Sequence, residues 1–300
     1  MAGLNGGEDV KSRKDWDTGE DRDVMRDVER RKARERRKAG ERSVTLSKRM
    51  RMLADMVTAG NCVADVGCDH AFLSIYLVQT GKCPKCLAMD VRKGPLSGAK
   101  EHIASHGLGE YIETRLSDGL SAYHTGEAQT LVCAGMGGKL MEKILTEGGE
   151  KARSFKELIL QPQSEIPEFR IYLRKAGFLI SEEEAVYEDG KFYFAMKAVY
   201  KEQDGVPERD QLADQERFVE KKRSISPEMS AELYDLYGKQ LLLSRHPVLM
   251  QYLQKRLQAV EELTAQLQQK DSIKGKERQR ELSLEKEQLK KALEIYEKGR

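Results

Sequence analysis

No stretch of the chain approaches the roughly 20 consecutive apolar residues that a membrane span needs, and its first residues have no signal-peptide character. A cytoplasmic location without a membrane partner is expected. Cysteine is scarce too. There are five, an odd number, and Cys62, Cys86 and Cys133 sit in apolar strand-like runs, which fits reduced core thiols better than a disulfide framework. Cys83-Pro84-Lys85-Cys86 has no second Cys-x-x-Cys and no nearby histidine pair to complete a zinc site, and Cys86 opens a strand where a thioredoxin-type motif would open a helix. His102, His106, His124 and His246 have no ligand spacing either, so no metal is expected. An excess of one charge is also missing. The formal charge of +2 neither demands nor excludes a polyanionic partner, which only local patches could hold.

What is present divides into three parts. Apolar residues make up 39% of the 300 positions, enough for a core, but 34% charged residues keep that core from occupying the whole chain. Residues 1–42 hold few apolar side chains and end in Arg30-Arg31-Lys32-Ala33-Arg34-Glu35-Arg36-Arg37-Lys38. Such a segment buries too little surface to offset its ordering entropy, so a charged disordered tail is expected, with solvation the plainer reading of its basic run and phosphate contact the alternative. Residues 43–203 form the catalytic candidate. From Leu46 to about Tyr200, short apolar runs alternate with amphipathic segments, the pattern of βαβ units on a parallel sheet. Strands are predicted near 62–66, 86–90, 111–116, 130–134, 157–161, 179–187 and 192–200, with helices over 70–80, 94–106, 138–147 and 165–176. Only Glu188-Asp189-Gly190-Lys191 separates the last two strands, a hairpin signal. An α/β, Rossmann-like sheet of seven strands that ends in an antiparallel hairpin is similar to that of class I methyltransferases.

Residues 204–300 read as a helical domain. Ser226 and Pro227 mark a helix start followed by Leu233, Leu236, Tyr237 and Leu241 at helical spacing, and His246-Pro247 breaks the chain. A second helix to about Lys270 carries Leu249, Leu253, Leu257, Val260, Leu263 and Leu267 on one stripe. After a polar turn around Asp271–Lys276, Leu282, Leu289, Leu293 and Tyr296 make a third. Near-heptad seams predict a short antiparallel coiled coil, and the chain is read as a monomer.

The candidate site begins at Asp65-Val66-Gly67-Cys68-Asp69-His70-Ala71. A strand that ends in Asp-x-Gly and turns into a helix places backbone N–H groups and a carboxylate beside a nucleoside ligand. Gly67 permits the tight turn and close approach. Asp69 and Ala71 stand where the methyltransferase pattern acid-x-Gly-x-Gly-x-Gly usually has its second and third glycines, and the Gly-x-Gly-x-x-Gly expected of a dinucleotide site also lacks both later glycines. Asp90 closes the next strand, followed by Val91, and an acceptor-only carboxylate there suits two ribose hydroxyls. Asp118-Gly119 follows the third strand, where a carboxylate can accept from an adenine amino group. Strand-terminal Asp and Gly are common turn residues, but three acids at three successive strand ends point to S-adenosyl-L-methionine as cofactor, with Asp65 holding the turn or its ammonium, and Cys68 beside it. Ala134-Gly135-Met136-Gly137 follows the fourth strand, where small residues leave room for a flat ring, or simply form a flexible turn. The Asp/Asn-Pro-Pro-aromatic sequence of many enzymes that methylate exocyclic amines is absent there.

Leu46-Ser47-Lys48-Arg49, DVGCDHAFL, Lys93-Gly94-Pro95, RLSDGL, AGMGG and LILQPQ, in that order, resemble the bacterial tRNA (adenine(22)-N(1))-methyltransferases over residues 46–200, and the resemblance extends to a C-terminal coiled coil. It implies methyl transfer from S-adenosylmethionine to ring nitrogen N1 of an adenine in the D-arm region of tRNA. Asp69 is the candidate to stabilise the cationic product, with His70 beside it, although Asp69 could equally N-cap a helix starting at His70. Gln161 is a candidate to read the adenine edge, and Lys48, Arg49, Arg51, Arg92 and Lys93 are candidates for phosphate contact. A methyltransferase of another RNA, a protein or a small molecule, or a non-enzymatic RNA-binding scaffold, are the alternatives. The long helical appendage disfavours a small-molecule substrate, and the intact acids disfavour a scaffold.

Overall fold

Strands that must lie inside a sheet covered on both faces have to be apolar on both faces, and the runs VADV, CLAMD and ELILQP are buried at every position. The computed structural model describes residues 44–201, 227–267 and 273–297. The first of these segments carries α1 (Lys48–Met56), β1 (Val63–Val66), α2 (Phe72–Gln79), β2 (Cys86–Asp90), α3 (Lys93–Ser105), β3 (Ile112–Leu116), β4 (Thr130–Met136), α4 (Gly138–Gly148), α5 (Glu150–Arg153), β5 (Glu157–Pro162), α6 (Ile166–Lys175), β6 (Phe178–Glu188) and β7 (Lys191–Tyr200). The other two carry α7 (Pro227–Tyr237), α8 (Lys239–Leu243), α9 (Pro247–Leu267) and α10 (Ile273–Glu297). The predicted tail over 1–42, the Ser226 cap and the first residues of the turn at Asp271 lie outside the described residues.

The seven strands form one sheet in the order β3-β2-β1-β4-β5-β7-β6. Neighbours among β1 to β5 are parallel, while β7 runs antiparallel to both β5 and β6. The chain order reverses between β1 and β4, and the crevice at the carboxyl ends of those strands is where such sheets bind ligands. One apolar core fills the face under α1, α2 and α3, and a second fills the face under α4 and α6. Every strand and helix predicted between 62 and 200 is present, with ends displaced by no more than two residues. The short α5 has no counterpart in the sequence reading.

A third core joins Leu233, Leu241, Leu249, Leu253, Val260, Leu282 and Leu289 to Ala185 and Phe194 of the hairpin, so the terminal helices pack directly on β6 and β7. Tyr296 donates a hydrogen bond to the His246 carbonyl, bringing the end of α10 to the start of α9 and making the pair antiparallel. The stripe is interrupted at Leu263, which is 39% exposed, while Leu257 and Leu267 are half-buried against this core. The single helix expected after Pro227 is two, α7 and α8, broken at Gly238. Gly238 has φ +92°, and a Cβ there would lie 2.6 Å from Glu183 Oε1. Glu183 forms a buried pair with Arg170 at 2.8 Å, and Arg170 Nη1 also donates to the Asp235 and Leu236 carbonyls. Among the described residues, no helix is long and apolar enough to cross a membrane.

Candidate active site

Asp65 sits inside β1, where a carboxylate has few partners. Ser74 Oγ donates to its Oδ2 at 2.8 Å, yet burial, with a smaller contribution from the nearby Asp90, pushes the carboxyl up to about 6. Beyond β1 the chain passes through Gly67 at φ +75°, Asp69 at φ +50° and Ala71 at φ +58°. Two non-glycine residues in the left-handed region within three positions cost about 1–3 kcal/mol each, a burden that folds keep at functional loops. Gly67 suits this turn because its φ of +75° disfavours any side chain, and a Cβ would lie 2.8 Å from Met136 Cε, so that methionine would have to move. The N–H groups of Gly67 and Cys68 both bond the Met89 carbonyl, so this turn is fixed by the neighbouring strand and does not direct those two donors at a ligand.

The predicted start of α2 needs correction. Ala71 is its N-cap and makes no side-chain cap bond, so the helix opens at Phe72, not at His70, and Asp69 does not cap it. The Asp69 side chain is 66% exposed, with Oδ1 3.9 Å from His70 Nε2. Phe72 is partly exposed and stacks on His102 with centroids 4.7 Å apart.

Asp90 is buried at the end of β2, where its Oδ1 accepts from the Arg92 backbone N–H at 2.9 Å. Asp118 is exposed just beyond β3. Its turn is held by Ser117, whose Oγ donates to the Gly119 carbonyl and accepts from Ala122 N–H. These three acids line one cleft of about 560 Å³, together with Gly67, Cys68, Asp69, His70, Val91, Gly119, Ala134, Gly135 and Met136. Burial and the neighbouring Asp65 and Asp90 push the Cys68 thiol far up, so it stays protonated and is no nucleophile.

Some expected residues lie elsewhere. Gly137 does not line the cleft: a Cβ on it would meet Ser164 Oγ at 2.9 Å, and one on Gly138 would meet the Ser164 carbonyl at 2.7 Å, so these glycines let α4 start against the loop after β5. Gln161 is wholly buried within β5. Its Oε1 accepts from Arg49 Nη1 at 3.0 Å and its Nε2 donates to the Pro162 carbonyl, so it presents no amide to an adenine edge. Gln163, the first residue beyond the strand, lines the cleft in its place. Of the basic candidates, Arg49 and Arg92 line the cleft, whereas Lys48 and Arg51 face a separate depression with Glu182 and Glu184, and the exposed Lys93 lies outside the lining. Met50, Leu140 and Ile144 complete the wall, and as apolar helix residues they carry no sequence signal that separates them from core.

Residues 46–196 match the family described as methyltransferase domain. The chain belongs to that family. The chain is 37% identical over 153 residues to the tRNA (adenine(22)-N(1))-methyltransferase of Bacillus subtilis, a match covering 51% of the chain and 64% of that relative, just under two thirds of its length. The crystal structure of the Bacillus subtilis m1A22 tRNA methyltransferase superposes with a TM-score of 0.66 at 29% identity, covering 83% of this chain and 99% of the other. A Streptococcus pneumoniae protein solved in complex with S-adenosyl-L-methionine gives a TM-score of 0.66 at 29% identity, with 83% and 100% covered. The seven-stranded sheet, its closing hairpin and the C-terminal helices are therefore a shared architecture. Among the described residues of the methyltransferase, no group of three or more His, Cys, Asp or Glu side chains is placed to hold a metal.

Proposed function

We propose that this methyltransferase binds S-adenosyl-L-methionine in the cleft and transfers its methyl group to N1 of adenine 22 in tRNA. The observation that carries the reading is the convergence of Asp65, Asp90 and Asp118 on one cavity at the reversal of strand order. That wall fits the cofactor's chemistry. Apart from its own carboxylate, the ligand offers an ammonium, a sulfonium, two ribose hydroxyls and an adenine amine, all cations or donors, and the wall offers acceptor-only carboxylates. Asp65, ionised at neutral pH, would hold the ammonium, Asp90 the ribose hydroxyls and Asp118 the adenine amine, with Gly67 and Gly119 keeping the floor clear. When bound, the cofactor supplies an electrophilic methyl group.

The chain's own task is then alignment. Adenine N1 carries an in-plane lone pair, so attack needs desolvation and orientation more than a base. Methylation leaves the adenine cationic. The Asp69 carboxylate, on the strained loop at the cleft's edge, stabilises that growing charge when it accepts from the exocyclic amine, and His70 flanks it. N1 is paired or buried in folded tRNA, so the base must leave its stack, which requires a grip on the surrounding backbone from Arg49, Arg92 and the terminal helices. The five free thiols suit a cytoplasmic enzyme, acting as a monomer.

The test is incubation of the full chain with methyl-labelled S-adenosylmethionine and bulk tRNA, followed by nucleoside analysis. Label in 1-methyladenosine, with reverse transcription of the treated tRNA newly stopping at position 22, is the expected result. Label in another nucleoside, or none, overturns the assignment.

A further inference from the structure

The cleft has two electrostatically different halves. Its acids lie at the ends of β1, β2 and β3, where the exposed Arg92 is 3.7 Å from Asp90, while the β4–β5 side is lined by Arg49, Gly135 and Gln163 and has no acid. Arg49 is held with unusual care. Glu188, at the hairpin tip, accepts from the backbone N–H groups of Lys48 at 2.6 Å and Arg49 at 3.1 Å, which fixes the start of α1. Gln161 accepts from Nη1, and Tyr193 lies under the guanidinium with its centroid 5.5 Å away. Gly135, at φ +78°, passes beside the guanidinium, and a Cβ there would sit in ordinary contact, 3.4 Å from Nη1. Among the described residues Arg49 makes no ion pair, whereas Arg115, Arg170, Arg174 and Arg256 are each paired with a carboxylate. A guanidinium has five N–H donors, and one is committed to Gln161.

We infer that Arg49 anchors a phosphate flanking the target adenosine, and that Gln161 is the positioning residue that aims it; the inference rests on the tRNA reading above. A phosphate is chosen over the base and over the cofactor's own carboxylate, and a loss of cofactor affinity in Arg49→Ala would assign the guanidinium to that carboxylate and overturn the inference. N1 methylation creates a cation on the adenine, and a guanidinium against that ring would raise the barrier, whereas a phosphate keeps its charge throughout and binds a guanidinium bidentately. Anchoring the backbone beside the acidic half leaves the extruded base facing the cofactor wall. The geometry also explains why an amide occupies position 161: a carboxylate there would neutralise the anchor, and an apolar side chain would release it.

The test uses the full chain with tRNA and S-adenosylmethionine. Arg49→Ala is expected to lower kcat/KM for tRNA by about 10- to 100-fold, the range of a charge-assisted contact, with cofactor affinity unchanged by calorimetry. The slope of log activity against log salt should fall by about one for this variant. A synthetic substrate with a neutral methylphosphonate at one flanking phosphate should slow the wild type to a similar degree and leave Arg49→Ala unaffected. Gln161→Leu should reduce tRNA affinity in the wild type but add little in the Arg49→Ala background, with melting temperature recorded for each variant. Equal loss of activity on modified and unmodified substrates, an unchanged salt slope, or additive effects of the two substitutions would overturn the inference while the tRNA assignment stands. Failure of the wild type to methylate tRNA would instead remove the reading beneath it.

Discussion

Asp65→Asn should make the ligand-free protein more stable and, at the same time, a worse receptor for its cofactor. The reasoning starts from burial. In the unfolded chain this carboxyl ionises near its ordinary 3.8, whereas in the folded protein it keeps its proton up to about 6. Between those values the folded state binds more protons than the unfolded state, so this group's contribution to stability declines as pH rises through the window, and the destabilisation is complete above about 6. The difference corresponds to about 3 kcal/mol at neutral pH. An asparagine can still accept from Ser74 Oγ, which donates to Asp65 at 2.8 Å, and carries no charge to desolvate. The variant should therefore melt about 5–10 °C higher than the wild type at pH 7.5, and the gap should close by about pH 4. With saturating S-adenosylmethionine the gap should close, because losing the partner of a buried ammonium costs about 2–3 kcal/mol, on the order of 100-fold in Kd, which offsets most of the advantage at pH 7.5. Calorimetric melts from pH 4 to 8, with and without cofactor, provide the assay. Melting temperatures that differ by the same amount at every pH, or an unchanged Kd, would refute the argument.

Three further outcomes follow from particular contacts. Arg170→Ala leaves Glu183 buried and unpaired and removes the donor to two carbonyls of α7, so denaturant unfolding should report a loss of about 3–5 kcal/mol, whereas the apolar pair Arg170→Met with Glu183→Leu should recover most of it. Gly67→Ala places a methyl group 2.8 Å from Met136 Cε at φ +75°, and should cost about 1–3 kcal/mol of stability along with most cofactor affinity; a melting curve and isotherm like those of the wild type would refute the close-approach role. Asp69→Ala should cut turnover at least tenfold while cofactor Kd moves by less than about twofold, and near-normal methylation would take Asp69 out of the mechanism.

The sequence was most legible where one physical cause acts locally. Continuous apolar runs such as VADV and CLAMD have one stable destination, the interior of a covered parallel sheet, and Asp189-Gly190 can form only a tight connection. The acids at strand ends were legible for the same reason, since parallel strands bring their carboxyl ends to one edge. What escaped depended on distant partners. The helix after Pro227 breaks at Gly238, where the chain turns through φ +92° and the buried Glu183, more than fifty positions away, accepts from the Gln240 N–H and leaves room only for glycine. Gln161 carries the same side chain as Gln163, yet Arg49 draws one inward and the other faces the cleft. Ala71 takes a left-handed conformation that its composition disfavours, which delays α2 and frees Asp69. The glycines at 137 and 138 looked like a ledge for a ring, although their absent side chains make way for residues 164 and 165.

Ala185 and Phe194 are interior residues only while the terminal helices cover them. A chain shortened to its first two hundred residues would thus offer water an uncovered greasy flank on its outermost hairpin, and would leave Arg170 and Glu183 without the carbonyls and the amide of Gln240 that complete their bonding. The same hairpin ends in the carboxylate that grips α1. One hairpin thus carries both the contacts of the terminal helices and the carboxylate at the rim of the cleft, so the appendage and the sheet are built as a single folded body.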